Sequence, residues 1–193
     1  KVTGMTFQDF VTKNIIKPLK MNNSVFDAKL GYKNRTSCYD MDNVRCPEME
    51  FISGWLWLDI NDMYKWIDAM NHNRLISKKS FATLLNNPYA KDQGGSLGRF
   101  YEEDELQLHN GISYKFESIL LNDIKNDVVI ILASNNRNKV WDLGHIIRDI
   151  MLGKAYEIPK KSVAQLLKKE AFVDVNKAIE NYYKVKKTSE EKY

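Results

Sequence analysis

Glu105-Leu106-Gln107-Leu108-His109-Asn110-Gly111-Ile112, followed by Phe116-Glu117-Ser118-Ile119-Leu120-Leu121 and then Val128-Val129-Ile130-Ile131-Leu132-Ala133, decides the fold of this chain. Residues 105–108 alternate with the two-residue period of a half-buried strand and run straight into His109-Asn110-Gly111. Phe116 to Leu121 predicts a second strand, and Asn122 to Asp127 a loop. Val128 to Ala133 is an unbroken apolar run rich in β-branched residues, so a strand buried on both faces is expected there. A His, an amide side chain and a Gly at a strand end are suited to holding a substrate carbonyl. Gly111 has no Cβ and lets another backbone approach, the N–H of Ile112 is free to donate, and His109 can carry charge near neutral pH.

Working outward, Thr6 is placed to cap a helix, with Asp9 three residues on. Phe7, Phe10, Val11 and Ile15 supply its expected buried stripe, and Pro18 stops it. Residues 20–52 show little periodicity and read as a long irregular excursion. Asp59 caps the next helix, with Asp62 in its first turn and Ile60, Met63, Tyr64, Ile67 and Met70 on its apolar face. Asn71-His72-Asn73 ends it, with His72 solvated. A short helix from Ser77 or Lys78 to Leu85 is closed by Asn87-Pro88. Ser96 to Tyr101 predicts a strand that turns at Glu102-Glu103-Asp104 into the His109 strand. Val140 to Leu152 predicts a helix with Val140, Leu143, Ile147, Ile150 and Met151 on the buried face and His145 on the solvent side. Beyond Pro159, Ser162–Glu170 and Val175–Lys186 read as two further helices.

The 193 residues carry a net charge of +4 and an isoelectric point near 8.9. The basic residues are dispersed. Lys160-Lys161, Lys168-Lys169 and Lys184 to Lys187 interleave with helical apolar positions, the pattern of a solvated helix face rather than a nucleic-acid surface. No apolar run is long enough to span a bilayer. The three His are far apart, and no Cys-x-x-Cys pair exists, so neither a metal site nor a cofactor is expected. Cys38 and Cys46 could close a small loop in an exported protein, but two unpaired thiols are the favoured reading. The sequons Asn22-Asn23-Ser24 and Asn34-Arg35-Thr36 are read as chance occurrences.

The His109-Asn110-Gly111 strand also resembles the third active-site motif of the serine β-lactamase and penicillin-binding-protein superfamily, in which a Lys or His, a small hydroxyl residue and a Gly close the strand lining the site. Lys1-Val2-Thr3-Gly4-Met5-Thr6-Phe7 and Lys17-Pro18-Leu19-Lys20-Met21-Asn22-Asn23-Ser24-Val25-Phe26 are similar to the stretch after that family's second motif, with Lys20 at a usual Gly. Ser53-Gly54-Trp55-Leu56-Trp57 through Asp62-Met63 resembles a family helix start, with Trp55 at another usual Gly. The resemblance covers roughly residues 1–155 and rests on the order of these matches, none of which is specific alone.

The resemblance implies an α+β fold: an antiparallel β-sheet flanked by helices, with the family's N-terminal part absent and a helical C-terminal tail. Residues 1–155 are expected to form the C-terminal portion of the domain and 156–193 a helical extension. The family's Ser-x-x-Lys and Tyr-x-Asn (or Ser-x-Asn) motifs lie upstream of the region matched, and no Ser here begins a believable Ser-x-x-Lys helix. The implied function is part of a serine hydrolase acting through an acyl-enzyme on a peptide, ester or β-lactam, its nucleophile outside this chain. The implied site residues are His109, Asn110, Gly111 and Ile112, the last as a backbone oxyanion donor. Asn110 lacks the usual hydroxyl, which places β-lactam turnover in more doubt than ester or peptide chemistry. Trp55 and Trp57 are weighed as cleft walls against core packing, with core packing of at least one expected. The alternative is an inactive module of the same fold that binds cell-wall peptide or a protein partner. Expected partners are a small-molecule or peptide substrate, and upstream residues or a second chain covering strand 128–133. The cell envelope or the exterior is slightly favoured over the cytoplasm as location.

Overall fold

The computed structural model describes residues 2–40, 42–48, 56–85, 98–101, 105–136 and 139–158. The chain divides into two units, residues 1–156 and 157–193, and the description concerns the first. The helices expected in 162–186 lie outside the described residues, as do Trp55, Asn87-Pro88 and the Glu102–Asp104 turn.

The fold is α+β. Its centre is a four-stranded antiparallel sheet in the order β3 (Arg99–Tyr101), β4 (Leu106–Ser113), β5 (Phe116–Asp123) and β6 (Val128–Ser134). Sequence-adjacent strands are neighbours throughout, as expected for a meander with short connections. Tyr114-Lys115 makes a two-residue turn between β4 and β5, Ser113 pairing with Phe116. Tyr114 sits at φ 54° there, a position that hairpins usually give to Gly.

Each face of the sheet carries helices. On one, Leu106, Leu108, Ile119, Leu121 and Ile130 pack against α4 (Val140–Met151). On the other, Leu120, Val129 and Ile131 meet Ile67 and Met70 of α2 (Ile60–Asn71) and Phe81 of α3 (Lys78–Leu85). Asp59 caps α2 by accepting from the Asp62 N–H at 2.8 Å, and Ser77 caps α3 through the Ser80 N–H at 3.1 Å. A small second sheet pairs β1 (Val25–Phe26) with β2 (Leu56–Trp57), so the two ends of the irregular excursion meet.

Several expectations are corrected. Thr6 caps α1 (Phe7–Val11), but the helix passes at Thr12 into a π-helical segment, Thr12–Ile16. The wider π turn breaks the 3.6-residue phase, so the 7, 10, 11, 15 stripe does not point one way. Phe7 remains 55% exposed, packed edge-on against Phe26. Gln107, expected on the solvent side of a half-buried strand, is fully buried: Asn122 donates to it at 3.1 Å and itself exchanges two amide bonds with Asn71 of α2. The second strand runs on to Asp123, past the expected loop start, because Asp123 is held by Arg148 of α4 at 2.6 Å. The buried face of α4 is Val140, Gly144 and Arg148, not Leu143, Ile150 and Met151, which are exposed. Gly144 lets α4 approach β5 closely, since a Cβ there would stand 3.2 Å from Ile119 and Leu121. His145 is half-buried beside Trp141 rather than on an open face. His72, expected to be solvated, is exposed but hydrogen-bonded at 2.8 Å to the Asp68 carbonyl. In β6 only Ile130 is fully buried; among the described residues the strand pairs on one side alone, with β5.

Candidate active site

β3 pairs with β4 only over Leu106–Leu108. Beyond Leu108, the edge of β4 away from β5 meets no strand among the described residues. Gly98 comes close at this point: at φ +93° a Cβ would collide with the Leu108 carbonyl and stand 3.0 Å from His109 Cβ. The resemblance-derived residues therefore lie on a stretch of strand whose outer edge, among the described residues, is approached by Gly98 and paired with no strand.

Pairing out of the two-residue turn sets the direction of each N–H. Ser113 and Phe116 flank the turn as a hydrogen-bonded pair, and such pairs alternate along an antiparallel ladder. Gly111 and His109 are thus bonded to β5, and the N–H groups of Ile112 and Asn110 point to the outer edge. Side chains alternate across the sheet in the same way. His109 and Ser113 share the α2 face with Gln107, whereas the Asn110 and Ile112 side chains leave by the α4 face.

Two adjoining hollows open on this region. One, about 330 Å³, is lined by His109, Val11, Ile15, Met21 and Trp66. The other, about 440 Å³, is lined by Gly111, Ile112, Trp57, Phe116 and the end of β6. Leu56, Leu58, Met63 and Ser118 belong to both. His109, Gly111 and Ile112 are brought together on these hollows; Asn110 lines neither. Both walls are chiefly apolar, so a polar group entering them meets few competing donors.

The wall opposite β4 is positioned by a buried carboxylate. Asp62 is fully buried in α2 and accepts from the Asn23 N–H at 2.8 Å, the Ser24 hydroxyl at 2.9 Å and Lys65 Nζ at 2.7 Å. Burial works to raise its pKa, but those donors outweigh it and hold the group below the ordinary carboxylate value. The 20–26 turn is thereby clamped to α2, and β1 carries the position to β2 and Trp57. Trp57 stacks edge-on against Phe116 at 5.8 Å, with the Arg35 guanidinium 4.6 Å over its ring. Sequence reasoning raised Trp57 as a wall but missed Ser118, which aligns with Gly111 across the ladder. The strand register would have found it.

No family model matches this chain, and no curated protein matches it. Solved structures do. The chain is similar to FmtA from Staphylococcus aureus at 24% identity and TM-score 0.59, over 84% of this chain and 49% of that one. It is similar to a D-stereospecific amidohydrolase from Streptomyces sp. at 16% identity and TM-score 0.57, over 80% and 51%. It is also similar to a penicillin binding protein from Bacillus halodurans at 15% identity and TM-score 0.62, over 77% and 50%. The chain spans about half the length of these structures. Its fold is the one these three structures share, an α+β fold as the ordered motifs implied.

Proposed function

We propose that this chain supplies one wall of an acyl-transfer serine hydrolase site acting on a peptide, ester or β-lactam. The observation that carries the reading is the outer edge of β4: His109 faces one hollow, and the Ile112 N–H points to an edge that no strand pairs among the described residues. A substrate carbonyl at that edge would receive the Ile112 N–H as one oxyanion donor. His109 would present a donor, charged when protonated, to the nucleophile or the substrate. Asn110, directed to the other face, would contribute its backbone and not its amide. The serine nucleophile and its general base would come from residues outside Lys1–Tyr193, so the 193 residues alone would not turn over substrate. Work outside the cell membrane, in the envelope or beyond it, fits the amidohydrolase and penicillin-binding names of two of the similar structures. Among the described residues no helix is long and apolar enough to cross a membrane.

The test is covalent labelling. The 193-residue chain, and the same chain joined to whatever its gene encodes ahead of Lys1, are incubated with a fluorescent penicillin and a chromogenic ester. Labelling of the longer form only is expected. A stoichiometric adduct on the 193-residue chain would overturn the assignment of the nucleophile. A longer form that binds D-amino-acid peptide without acylation would favour the non-catalytic module.

A further inference from the structure

Cys38 and Cys46 are thiols in this structure, separated by seven residues of sequence. The fold places them opposite each other. Tyr39 and Arg45 form an antiparallel bridge, and the Asp40 N–H donates to the Val44 carbonyl at 3.0 Å. The Cys46 N–H donates to the Cys38 carbonyl at 2.9 Å, so these residues are the next cross-strand pair outward. Residues in such a hydrogen-bonded position have Cα atoms about 5.5 Å apart and side chains on one face. Disulfides span Cα separations of about 4.4–6.8 Å. Bridging this pair therefore asks for rotation of two side chains and little backbone movement.

The surroundings of the two sulfurs differ. Cys38 is buried at 3% exposure, whereas Cys46 is partly exposed, its thiol donating to the Val44 carbonyl at 3.8 Å. Burial pushes the Cys38 thiol up, and the charge and hydrogen bond of the neighbouring Cys46 push it further. The hairpin is also joined to the sheet near the second hollow. The Tyr39 N–H donates to the Asn135 carbonyl at 2.8 Å, and the Asn135 amide donates to the Ser37 carbonyl at 2.9 Å. The Tyr114 hydroxyl, at the β4–β5 turn, donates to the Pro47 carbonyl at 3.4 Å.

We propose that Cys38 and Cys46 are a reversible dithiol–disulfide pair, oxidised by a low-molecular-weight disulfide, that fastens the 38–46 hairpin beside the β4–β5 turn. Cys46, the accessible sulfur, releases its proton to solvent and as the thiolate attacks one sulfur of the small disulfide. That S–S bond breaks, one small thiolate leaves, and a mixed disulfide stands on Cys46. Cys38 releases its proton to solvent and attacks the Cys46 sulfur, expelling the second small thiolate. Two protein thiols are oxidised by two electrons, and one small disulfide is reduced to two thiols. A thiol reductant reverses both steps.

The probe is oxidised glutathione at neutral pH, followed by acid quench, denaturing alkylation and intact mass with peptide mapping. The wild-type protein is expected to lose two hydrogens, retain no glutathione, yield a cross-linked Cys38–Cys46 peptide and return to two alkylatable thiols with dithiothreitol. Cys38→Ser is expected to hold one glutathione on Cys46. Cys46→Ser is expected to take up glutathione at least about tenfold more slowly, through the buried sulfur. Early quenching of the wild type traps the Cys46 mixed disulfide and covers the case in which a variant fails to fold. Hydrogen exchange at the Cys46 and Tyr39 amides is expected to slow at least about tenfold on oxidation, because closing a short loop suppresses its local opening. Persistent glutathione on wild-type Cys46, two thiols at every oxidant ratio, or disulfides only between chains would overturn the pair. Unchanged amide exchange would overturn the fastening.

Discussion

His109 and Asp123 sit one strand apart, yet the consequences of changing them should be opposite. His109 is exposed at the open edge of β4 and lines a hollow rather than filling a core. His109→Ala in the complete protein should therefore change stability by no more than about 0.5 kcal/mol. The same change should lower kcat/KM for acylation by about a hundredfold, as for other positioned proton-carrying groups. Stopped-flow acylation beside urea unfolding reads both, and unchanged kinetics would return His109 to an ordinary strand-end role. Asp123 is buried and paired with Arg148, with Asn126 donating from its backbone and side chain. Burial works to raise its pKa, but the Arg148 and Asn126 bonds prevail and the net shift is downward. A carboxylate lowered in the folded state contributes stability that is present above its unfolded value, near 4. That contribution is lost as pH falls through the folded value. Asp123→Asn should cost about 3 kcal/mol at pH 7 by leaving Arg148 buried and unpaired. Its urea midpoint should also fall less than the wild type's between pH 5 and pH 2, over about that range of carboxylate titration. Equal pH slopes in the two proteins would mean that Asp123 carries no acid sensitivity.

At the scale of elements, α4 illustrates how one residue orients a helix. Apolar periodicity favoured a face through Leu143, Ile150 and Met151, yet the helix turns Val140, Gly144 and Arg148 to the sheet. Its first N–H is received by Glu117 of β5 at 3.2 Å, a carboxylate at the positive end of the helix. Gly144→Val should therefore force α4 off Ile119 and Leu121, lowering stability by about 1–3 kcal/mol through overpacking. Thermal unfolding measures it, and an unchanged midpoint would mean that α4 is not held by close approach. The same helix marks what was legible in the sequence. Strands β4, β5 and β6 followed from two-residue alternation and an apolar run, signals local enough to survive without knowledge of the partner. The facing of α4 depended on a buried charge pair joining residues 123 and 148, which no window of a helical turn contains. Gln107 was misjudged for the same reason, since its amide meets Asn122 of β5, which is bonded in turn to Asn71 of α2. The candidate strand was visible through its ordered motifs. That Asn110 faces away from His109, and that Ser118 joins the two hollows, required the register out of the Tyr114-Lys115 turn.

Across the described residues, the apolar surface is distributed unevenly. The α2 and α3 face of the sheet is covered, whereas β6 has one unpaired edge among the described residues. Leu143, Ile150 and Met151 remain exposed on α4, the helix packed on that strand's other face. An edge that is apolar, uncharged and free of Pro is a template for pairing with another chain. Its length, Val128–Ser134, is enough for several ladder hydrogen bonds. The helix surface beside it adds apolar area that association would remove from water. The 193-residue chain on its own is therefore expected to associate reversibly through β6, with sedimentation coefficients that rise with concentration. Ala133 is exposed on this strand, so Ala133→Lys should leave the fold intact and shift the distribution towards monomer by placing charge on the edge. Hydrogen exchange gives the second reading: the β6 amides that β5 does not bond should gain protection as concentration rises. A wild-type chain that sediments as a monomer at all concentrations, with those amides exchanging freely, would mean that the edge tolerates solvent as it stands.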